Sequence, residues 1–479
     1  MSAQDTAKRF FRSAGAAAFS QFWRVGVTLM VRPLLRRWIP DADWGLFDWT
    51  LTVFLILGAV RDLGLVYHVV RVKPRPYGNL LALELVWGAV LAVTSFVAAP
   101  ALVAHLNDPH PAALGVIRAF GIFLFFEGLG MVPKTFFEAE LNVGRTVMPE
   151  ILRNLAFASL ATSMAWAGYG VWSLVAGHVA AAIVYALLLW WRAWGKLELT
   201  WLKGQTLALL RRSTPLAVIW FLLILVQNVD PLILRERFSD RVVAWYRFGY
   251  ENAFLVSLIL VPAITRALYP ALVAFRHDAR QLFESYRLAT LCVMALEVPA
   301  ALFLFANAEA VLRILGGPEW VEPCTPFLRV LCFAPLIDPL SRLGGEVLKT
   351  LHKDGIWIAS SGITLASFAV GGWILTGTRG PMGMAWANYL PLGGLVMAWA
   401  IHRVAPRGFR RLLKDLVLIY LVPTLVFLLV YFTVADLVIR FAVSLLALGA
   451  VIFVFWKRYG PQFVAFFRDP VAATETTSD

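Results

Sequence analysis

The chain has 479 residues, of which 60% are hydrophobic and 15% charged, with a formal net charge of +13 and a mean hydropathy of +0.72. Soluble globular proteins are about 25% charged and about 45–50% apolar, so this composition excludes an ordinary soluble domain. Runs such as 80–102, 151–164 and 416–431 carry almost no charge over lengths that match the hydrocarbon core of a bilayer. They are apolar throughout instead of alternating, which favours membrane helices over a β-barrel.

Apolar runs separated by turn residues or charged clusters predict about 14 membrane helices of roughly 20 residues each. In chain order, the predicted spans are 13–36, 45–69, 77–104, 112–136, 150–168, 171–191, 213–234, 241–269, 287–307, 326–348, 355–376, 381–401, 416–434 and 437–456. Lys8, Arg9 and Arg12 precede the first run, but that run is too long for a signal peptide and no small-residue cleavage site follows it. We therefore expect an uncleaved first span and an all-α polytopic fold.

Basic residues are concentrated in alternate connections between the predicted spans. Arg71, Lys73, Lys196, Arg211 and Arg410 are among those that fall on the richer side. Because cytoplasmic loops of membrane proteins carry an excess of Lys and Arg, this asymmetry predicts that both termini are cytoplasmic. The same loops account for most of the net positive charge, so the expected partners of these residues are membrane lipids and not nucleic acid.

Three short patterns in the first half of the chain recur in the second half in the same order. LLRRWIPDADWGLF from residue 34 is matched by LILRERFSDRVVAWY from residue 232, and ELNVGRTVMPEI from residue 140 by KTLHKDGIWIAS from residue 349. GYGVWSLVAG from residue 168 is matched by GTRGPMGMAWAN from residue 377. Each match keeps its predicted side of the membrane, which indicates two parallel repeats about an axis normal to the membrane, a common transporter plan.

These repeats predict two pseudo-symmetric lobes of six helices each, followed by two additional C-terminal helices. The predicted boundaries are 1–195 for the N-lobe, 196–212 for a cytoplasmic connection between the lobes, 213–402 for the C-lobe, and 403–479 for a basic cytoplasmic loop, the last two spans and a short cytoplasmic tail.

Several of these stretches also resemble a known family. They are LLRRWIPDADWGLFDW with the later VRDLGL, NVDPLILRERFSDRVVAWYRFGY, RALYPALVAFRHD and GYGVWSLVAGHVAAAIVYALLLW. They are similar to the polysaccharide-biosynthesis flippases of the multidrug/oligosaccharidyl-lipid/polysaccharide exporter superfamily, over about residues 15–403. Pro231 and Asp48 depart from the pattern of many relatives.

The resemblance implies a V-shaped pair of six-helix lobes around a central cavity. It also implies a transporter and not an enzyme. Such a protein moves an undecaprenyl-diphosphate-linked oligosaccharide, a precursor of polysaccharide or O-antigen, from the inner to the outer leaflet of the bacterial inner membrane by alternating access. Polysaccharide polymerase machinery is then a further expected partner, and a monomer is the expected state.

A charge inside the bilayer costs about 3 kcal/mol or more, so deep ionisable residues are expected to face protein or a water-filled cavity. The deep set comprises Arg24, Arg61, Asp62, Glu127, Glu251, Glu297, Asp338 and Arg342. Basic residues nearer the span ends, such as Lys134 and Arg153, are predicted to anchor the helices at the interface.

Arginine suits a lipid diphosphate because its planar guanidinium forms two parallel hydrogen bonds to phosphate and keeps its charge. The predicted cations that bind the diphosphate or line the cavity on the N-lobe side are therefore Arg24 on the first span and Arg61 on the second. Arg24 lies ~16 Å along its span. Arg247 and Arg342 are the C-lobe candidates. Each has an acid four residues away, so structural ion pairing on one helix face is the alternative interpretation.

The energy source is open at this stage. The pattern G-x-x-x-x-G-K-[ST] is absent from the chain, so transport must depend on a substrate gradient, an ion gradient or the membrane potential. Asp230, Glu251 and Asp338 are candidates for binding Na⁺ or a proton. No catalytic residue, metal or cofactor is predicted, since the three cysteines match no metal-binding spacing.

Three other functions compete with this interpretation. A lipid II flippase of peptidoglycan synthesis shares the fold and the need to bind a diphosphate. A drug or cation antiporter of the same superfamily would favour a cavity rich in carboxylates, whereas here arginines and acids are mixed. A membrane glycosyltransferase or glycan polymerase is less favoured, because the predicted outer loops are short and their acidic residues are scattered.

Overall fold

A computed structural model of the chain describes residues 19–20, 23–24, 26–62, 75–106, 109–140, 142, 144–201, 204 and 206–468. The described residues form helices joined by short connections and contain no β-strand, so the predicted all-α class is confirmed. The chain divides into two compact units, 1–244 and 245–479.

The first unit contains the helices α1 to α7. Helix α1 covers residues 26–38, and residues 19–20 and 23–24 before it are also helical. The others are α2 (Asp41–Asp62), α3 (Tyr77–Ala104), α4 (Ala113–Ala139), α5 (Gly144–Trp166), α6 (Val171–Ala193) and α7 (Thr206–Arg237).

Helix α4 packs against α2, α3 and α6 and so forms the centre of the first unit. Phe47 and Phe54 of α2 pack against Phe120 of α4, with ring centroids 5.7 and 5.3 Å apart. Helices α3 and α4 approach closely at Gly121, where a Cβ atom would lie 3.2 Å from the Cα atom of Ala92. Small residues at such contacts let membrane helices pack tightly without the hydrophobic driving force available in water.

The second unit begins inside the helix α8 (Asp240–Ala253), which crosses the boundary between the units. Its helices are α8 (Asp240–Ala253), α9 (Leu255–Ala274), α10 (Ala279–Ala306), α11 (Ala308–Leu315), α12 (Val321–Leu331), α13 (Asp338–Thr350), α14 (Asp354–Arg379), α15 (Met382–Ala387), α16 (Gly393–Val404), α17 (Pro406–Thr433) and α18 (Leu437–Arg468).

Helix α10 is the central helix of the second unit. It packs against α9, α13, α17 and α18, and most of its side chains are buried. Leu282, Leu288, Leu291 and Met294 belong to the large apolar cluster that these helices share. A polar side chain on this helix, such as that of Glu297, is therefore surrounded by protein atoms.

Three predicted spans of the second half are interrupted in the structure. The eighth breaks at Phe254 between α8 and α9, and the tenth breaks over 332–337, where a 3₁₀ turn, Ala334–Ile337, separates α12 from α13. The twelfth breaks over 388–392 between α15 and α16. Pro335 lies within the second break and Pro391 within the third, and proline lacks the N–H that continues a helical ladder. The expectation of continuous helices is wrong at these places.

Nine stretches among the described residues are long and apolar enough to cross a bilayer. They are Asp41–Ala59, Tyr77–Ala104, Ala113–Ala139, Val171–Ala193, Ala279–Ala306, Pro318–Thr350, Gly355–Arg379, Pro406–Thr433 and Leu437–Arg458. The chain is therefore a multi-pass membrane protein. The total of about 14 spans and the predicted lobe boundaries stay predictions.

Candidate functional site

The second unit brings two predicted arginines into one cluster. Arg247 and Glu251 form an ion pair on α8, with 3.7 Å between Nε and Oε1. The Arg247 guanidinium carbon also lies 5.4 Å from the centroid of the Tyr250 ring. The spacing of four residues places the charged pair on one face of the helix, as the sequence predicts.

The second pair of this cluster lies on α13. Arg342 Nε is 2.6 Å from Asp338 Oδ2, and the two side chains remain 31% and 26% exposed. Asp338 begins α13, where the positive end of the helix dipole stabilises a carboxylate. Arg342 also interacts electrostatically with Tyr250. We call Arg247, Tyr250, Glu251, Asp338 and Arg342 the second-unit cluster.

The first unit holds a comparable group of charges around Glu150 of α5. The Ser20 hydroxyl donates a hydrogen bond to the Glu150 carboxylate, and Thr146 lies 3.4 Å from its other oxygen. Glu150 also interacts electrostatically with Lys134, Arg153 and Arg24. The Arg24 side chain is exposed. This acid joins the helical residue Ser20, before α1, to α5, a contact between residues far apart in the sequence.

Arg153 of α5 forms a two-pronged ion pair with Glu127 of α4. Its Nη1 and Nη2 atoms each lie 3.1 Å from one carboxylate oxygen. The Arg153 guanidinium carbon is 5.0 Å from the centroid of the Tyr185 ring. Arg153, which the sequence predicts to anchor the helix at the interface, thus also forms an interhelical ion pair. We call Arg24, Glu127, Lys134, Glu150 and Arg153 the first-unit cluster.

Two predicted site residues remain, Arg61 and Asp230. The backbone of Arg61 belongs to the last turn of α2, and its side chain lies outside the described part of the chain. Asp230 is buried in α7 and belongs to the first unit, whereas Glu251 and Asp338 belong to the second. In the described ranges, no three His, Cys, Asp or Glu side chains are arranged to hold a metal ion.

Two further arginines are buried where each of two helices ends. Arg36 lies 3.8 Å from the Asp48 carboxylate, and its guanidinium carbon is 3.9 Å from the centroid of the Trp44 ring. Arg235 Nε lies 2.7 Å from Asp240 Oδ1. Arg36 and Arg235 each belong to the basic residues of the first of the three sequence repeats. Their burial in ion pairs indicates a structural role at the helix ends.

A chain of apolar helices with paired arginines and acids inside them has the features of a membrane transporter. Residues 34–325 match the family described as polysaccharide biosynthesis protein. The chain belongs to this family, and the predicted membership is confirmed.

Two relatives from bacteria are similar along much of the chain. The lipopolysaccharide biosynthesis protein WzxC of Escherichia coli (strain K12) is 22% identical over 331 residues, which are 68% of this chain and 66% of the relative. The succinoglycan biosynthesis transport protein ExoT of Rhizobium meliloti (strain 1021) is 21% identical over 324 residues, 66% of this chain and 64% of the relative. The matches thus span just under two thirds of each relative's own length.

Solved structures share the fold. The lipid II flippase MurJ in an inward closed conformation has a TM-score of 0.73 at 13% identity, covering 94% of this chain and 99% of that one. An inward-facing multidrug resistance MATE family transporter of the MOP superfamily has a TM-score of 0.64 at 14% identity, covering 83% and 96%. These neighbours show that the chain shares their fold.

Proposed function

We propose that this protein is a flippase that moves an undecaprenyl-diphosphate-linked oligosaccharide from the inner to the outer leaflet of the bacterial inner membrane by alternating access. Family membership supports a role in polysaccharide biosynthesis. The name of the relative ExoT, a succinoglycan biosynthesis transport protein, supports transport as the step that is performed.

The observation that carries the proposal is that arginines inside the helices remain partly exposed beside acids. Arg342 keeps about a third of its surface accessible while Asp338 holds one edge of its guanidinium. The guanidinium has five N–H donors in one plane, so the edge of Arg342 that faces away from Asp338 is able to bind a diphosphate. Since a charge facing lipid is costly, such a side chain is best explained by a polar path.

In this proposal, Asp338 and Glu251 also serve as counter-charges for the arginines beside them. An arginine at membrane depth without a counter-charge would be costly while no substrate is bound. Asp338 and Glu251 lower that cost, and the diphosphate replaces or joins them when it arrives. A Na⁺ or proton gradient, acting through Asp230, Glu251 or Asp338, or the membrane potential, would drive the cycle.

The same proposal includes a bacterial inner-membrane location with both termini in the cytoplasm. It takes a lipid-linked oligosaccharide as the substrate, membrane lipids as neighbours and polysaccharide polymerase machinery as a partner on the outer face. We propose a monomer as the working unit, because each chain contains both units.

The test measures lipid-linked glycans in cells. The gene is deleted and restored as wild type, as Arg24→Ala, Arg61→Ala or Arg342→Ala, or as the control Arg241→Ala, whose exposed side chain pairs with Asp41 at a helix end. We expect the deletion and the first three variants to accumulate undecaprenyl-linked oligosaccharide and to lose surface polysaccharide at matched expression. The control should behave as wild type.

Other outcomes would assign another function. Accumulation of lipid II with unchanged surface polysaccharide would indicate a peptidoglycan-precursor flippase. Unchanged glycans with reduced drug efflux or cation tolerance would indicate an antiporter. Either result contradicts the proposed substrate.

A further inference from the structure

Glu297 is a buried acid at the centre of the second unit. It lies on α10, and its side chain is 3% exposed. Among the described residues, the Ser257 hydroxyl faces its carboxylate without reaching good hydrogen-bond geometry, and neither carboxylate oxygen has another hydrogen-bond partner. A buried charged carboxylate without a partner is strongly disfavoured, so this group requires a bound cation or a proton.

A small cavity of about 10 Å³ borders Glu297. Ala253 and Ser257 line it from the two sides of the break between α8 and α9, and Cys332 and Pro335 line it from the break between α12 and α13. This volume is close to the minimum that a single water molecule needs. The carboxyl group thus borders a space that can admit water where two neighbouring helices are both interrupted.

The helix breaks themselves point to a binding site. Irregular backbone at membrane depth is tolerated only when it is buried in protein or lines a cavity. In transporters, interrupted helices are where ions and substrates bind. Here two interruptions meet at one cavity, and the acid on the unbroken helix α10 supplies the titratable group.

The groups that face Glu297 favour a proton over a metal cation. Asp338 and Arg342 of α13 interact with it electrostatically, with opposite signs, and are already paired with each other. Tyr420 of α17 interacts with it as well. The side-chain oxygens that line the cavity belong only to Glu297 and Ser257, whereas hard metal cations take about six or more oxygen ligands.

We propose that Glu297 is a proton-binding site of the second unit, which takes up and releases a proton through the small cavity between the broken helices. It differs from Glu251 and Asp338, whose carboxylates are held by arginines on the same helix. The proposal that this proton drives transport rests on the proposed flippase function, whereas the proton site itself does not.

The proton site is tested on the full-length purified protein in lipid. Infrared difference spectra between acidic and alkaline pH should contain the carbonyl band of a protonated carboxyl group in a dry environment. The band should be lost in Glu297→Gln and retained in the controls Glu251→Gln and Asp338→Asn. Thermal unfolding of Glu297→Gln should match or exceed that of the wild type, because glutamine resembles the neutral acid. Ser257→Ala should shift the pH at which the band disappears.

Persistence of the band in Glu297→Gln, or the absence of any such band in folded wild-type protein, overturns the proton site. Coupling is tested separately by surface polysaccharide in cells that carry Glu297→Gln or Glu297→Asp. We expect the first variant to lose the pH dependence of export and the second to keep it. If the deletion strain exports normally, the flippase function fails while the infrared result still stands.

Discussion

Arg342 and Asp338 form an ion pair of 2.6 Å one helical turn apart, directly after the proline-containing break that separates α12 from α13. The pair is partly exposed, so its contribution to folding is small, up to about 1 kcal/mol. Its position at a helix break inside a membrane segment is better explained by a functional charge than by stability.

We expect Arg342→Ala to reduce export much more than Asp338→Asn does. The first change removes the group proposed to bind the diphosphate, whereas the second removes the carboxylate that positions it and that is one of three candidates for ion coupling. Arg342→Lys should recover part of the activity, because lysine keeps the charge but not the two-pronged geometry. The measurement is surface polysaccharide at matched membrane levels of each variant.

Thermal unfolding in detergent is the control for this comparison. Arg342→Ala should unfold within a few degrees of the wild type, and Asp338→Asn should unfold at a somewhat lower temperature because it leaves Arg342 without its counter-charge. If Asp338→Asn loses as much export as Arg342→Ala, the result contradicts a dominant role of Arg342 in binding the diphosphate.

A second prediction concerns the stability of the first unit. Arg235 is 1% exposed and lies 2.7 Å from the Asp240 carboxylate, so Arg235→Leu leaves an acid buried beside an apolar side chain. Removing one partner of a buried pair costs about 3–5 kcal/mol. We expect a large fall in unfolding temperature and in the yield of folded protein.

Arg241→Ala is the matched control, because Arg241 is 64% exposed and its pair with Asp41 is open to solvent. Its loss should change the free energy of unfolding by less than about 1 kcal/mol. If Arg235→Leu and Arg241→Ala lower the free energy of unfolding equally, the burial of Arg235 contributes nothing to stability.

The helices and the pairs within a helix could be predicted because their causes are local. Apolar runs of bilayer length indicate the helices, and a spacing of four residues indicates the Arg247–Glu251 and Asp338–Arg342 pairs. The break before α13 also has a local signal in the sequence, since Pro335 and Pro339 interrupt an apolar run.

Contacts between helices could not be predicted in this way. Glu127 and Arg153 are 26 residues apart in sequence, and only the packing of α4 against α5 brings them together. The same holds for Ser20 and Glu150, which are 130 residues apart. A charge inside an apolar run indicates that a partner exists, but its identity depends on which helices become neighbours.

The predicted topology is also testable. Single cysteines at Pro111 and Arg407, both exposed, would lie on opposite sides of the membrane if both termini are cytoplasmic. The native Cys324 and Cys332 are buried and should react little. A membrane-impermeant maleimide added to spheroplasts should label the cysteine at 111 and reach the cysteine at 407 only after lysis. The reverse pattern would place both termini outside.

The last prediction concerns the connection that leads into α6. Gly170 has φ +55°, and a Cβ atom there would lie 2.2 Å from the Asp43 carboxylate oxygen that accepts a hydrogen bond from the Val171 N–H. Gly168, with φ +83°, has nothing within 4 Å of its Cβ position. Gly168→Ala should therefore cost only backbone strain, about 1–2 kcal/mol, whereas Gly170→Ala adds a clash and loses that hydrogen bond. We expect a clearly lower unfolding temperature for Gly170→Ala, and equal values for the two variants would contradict the role of Asp43.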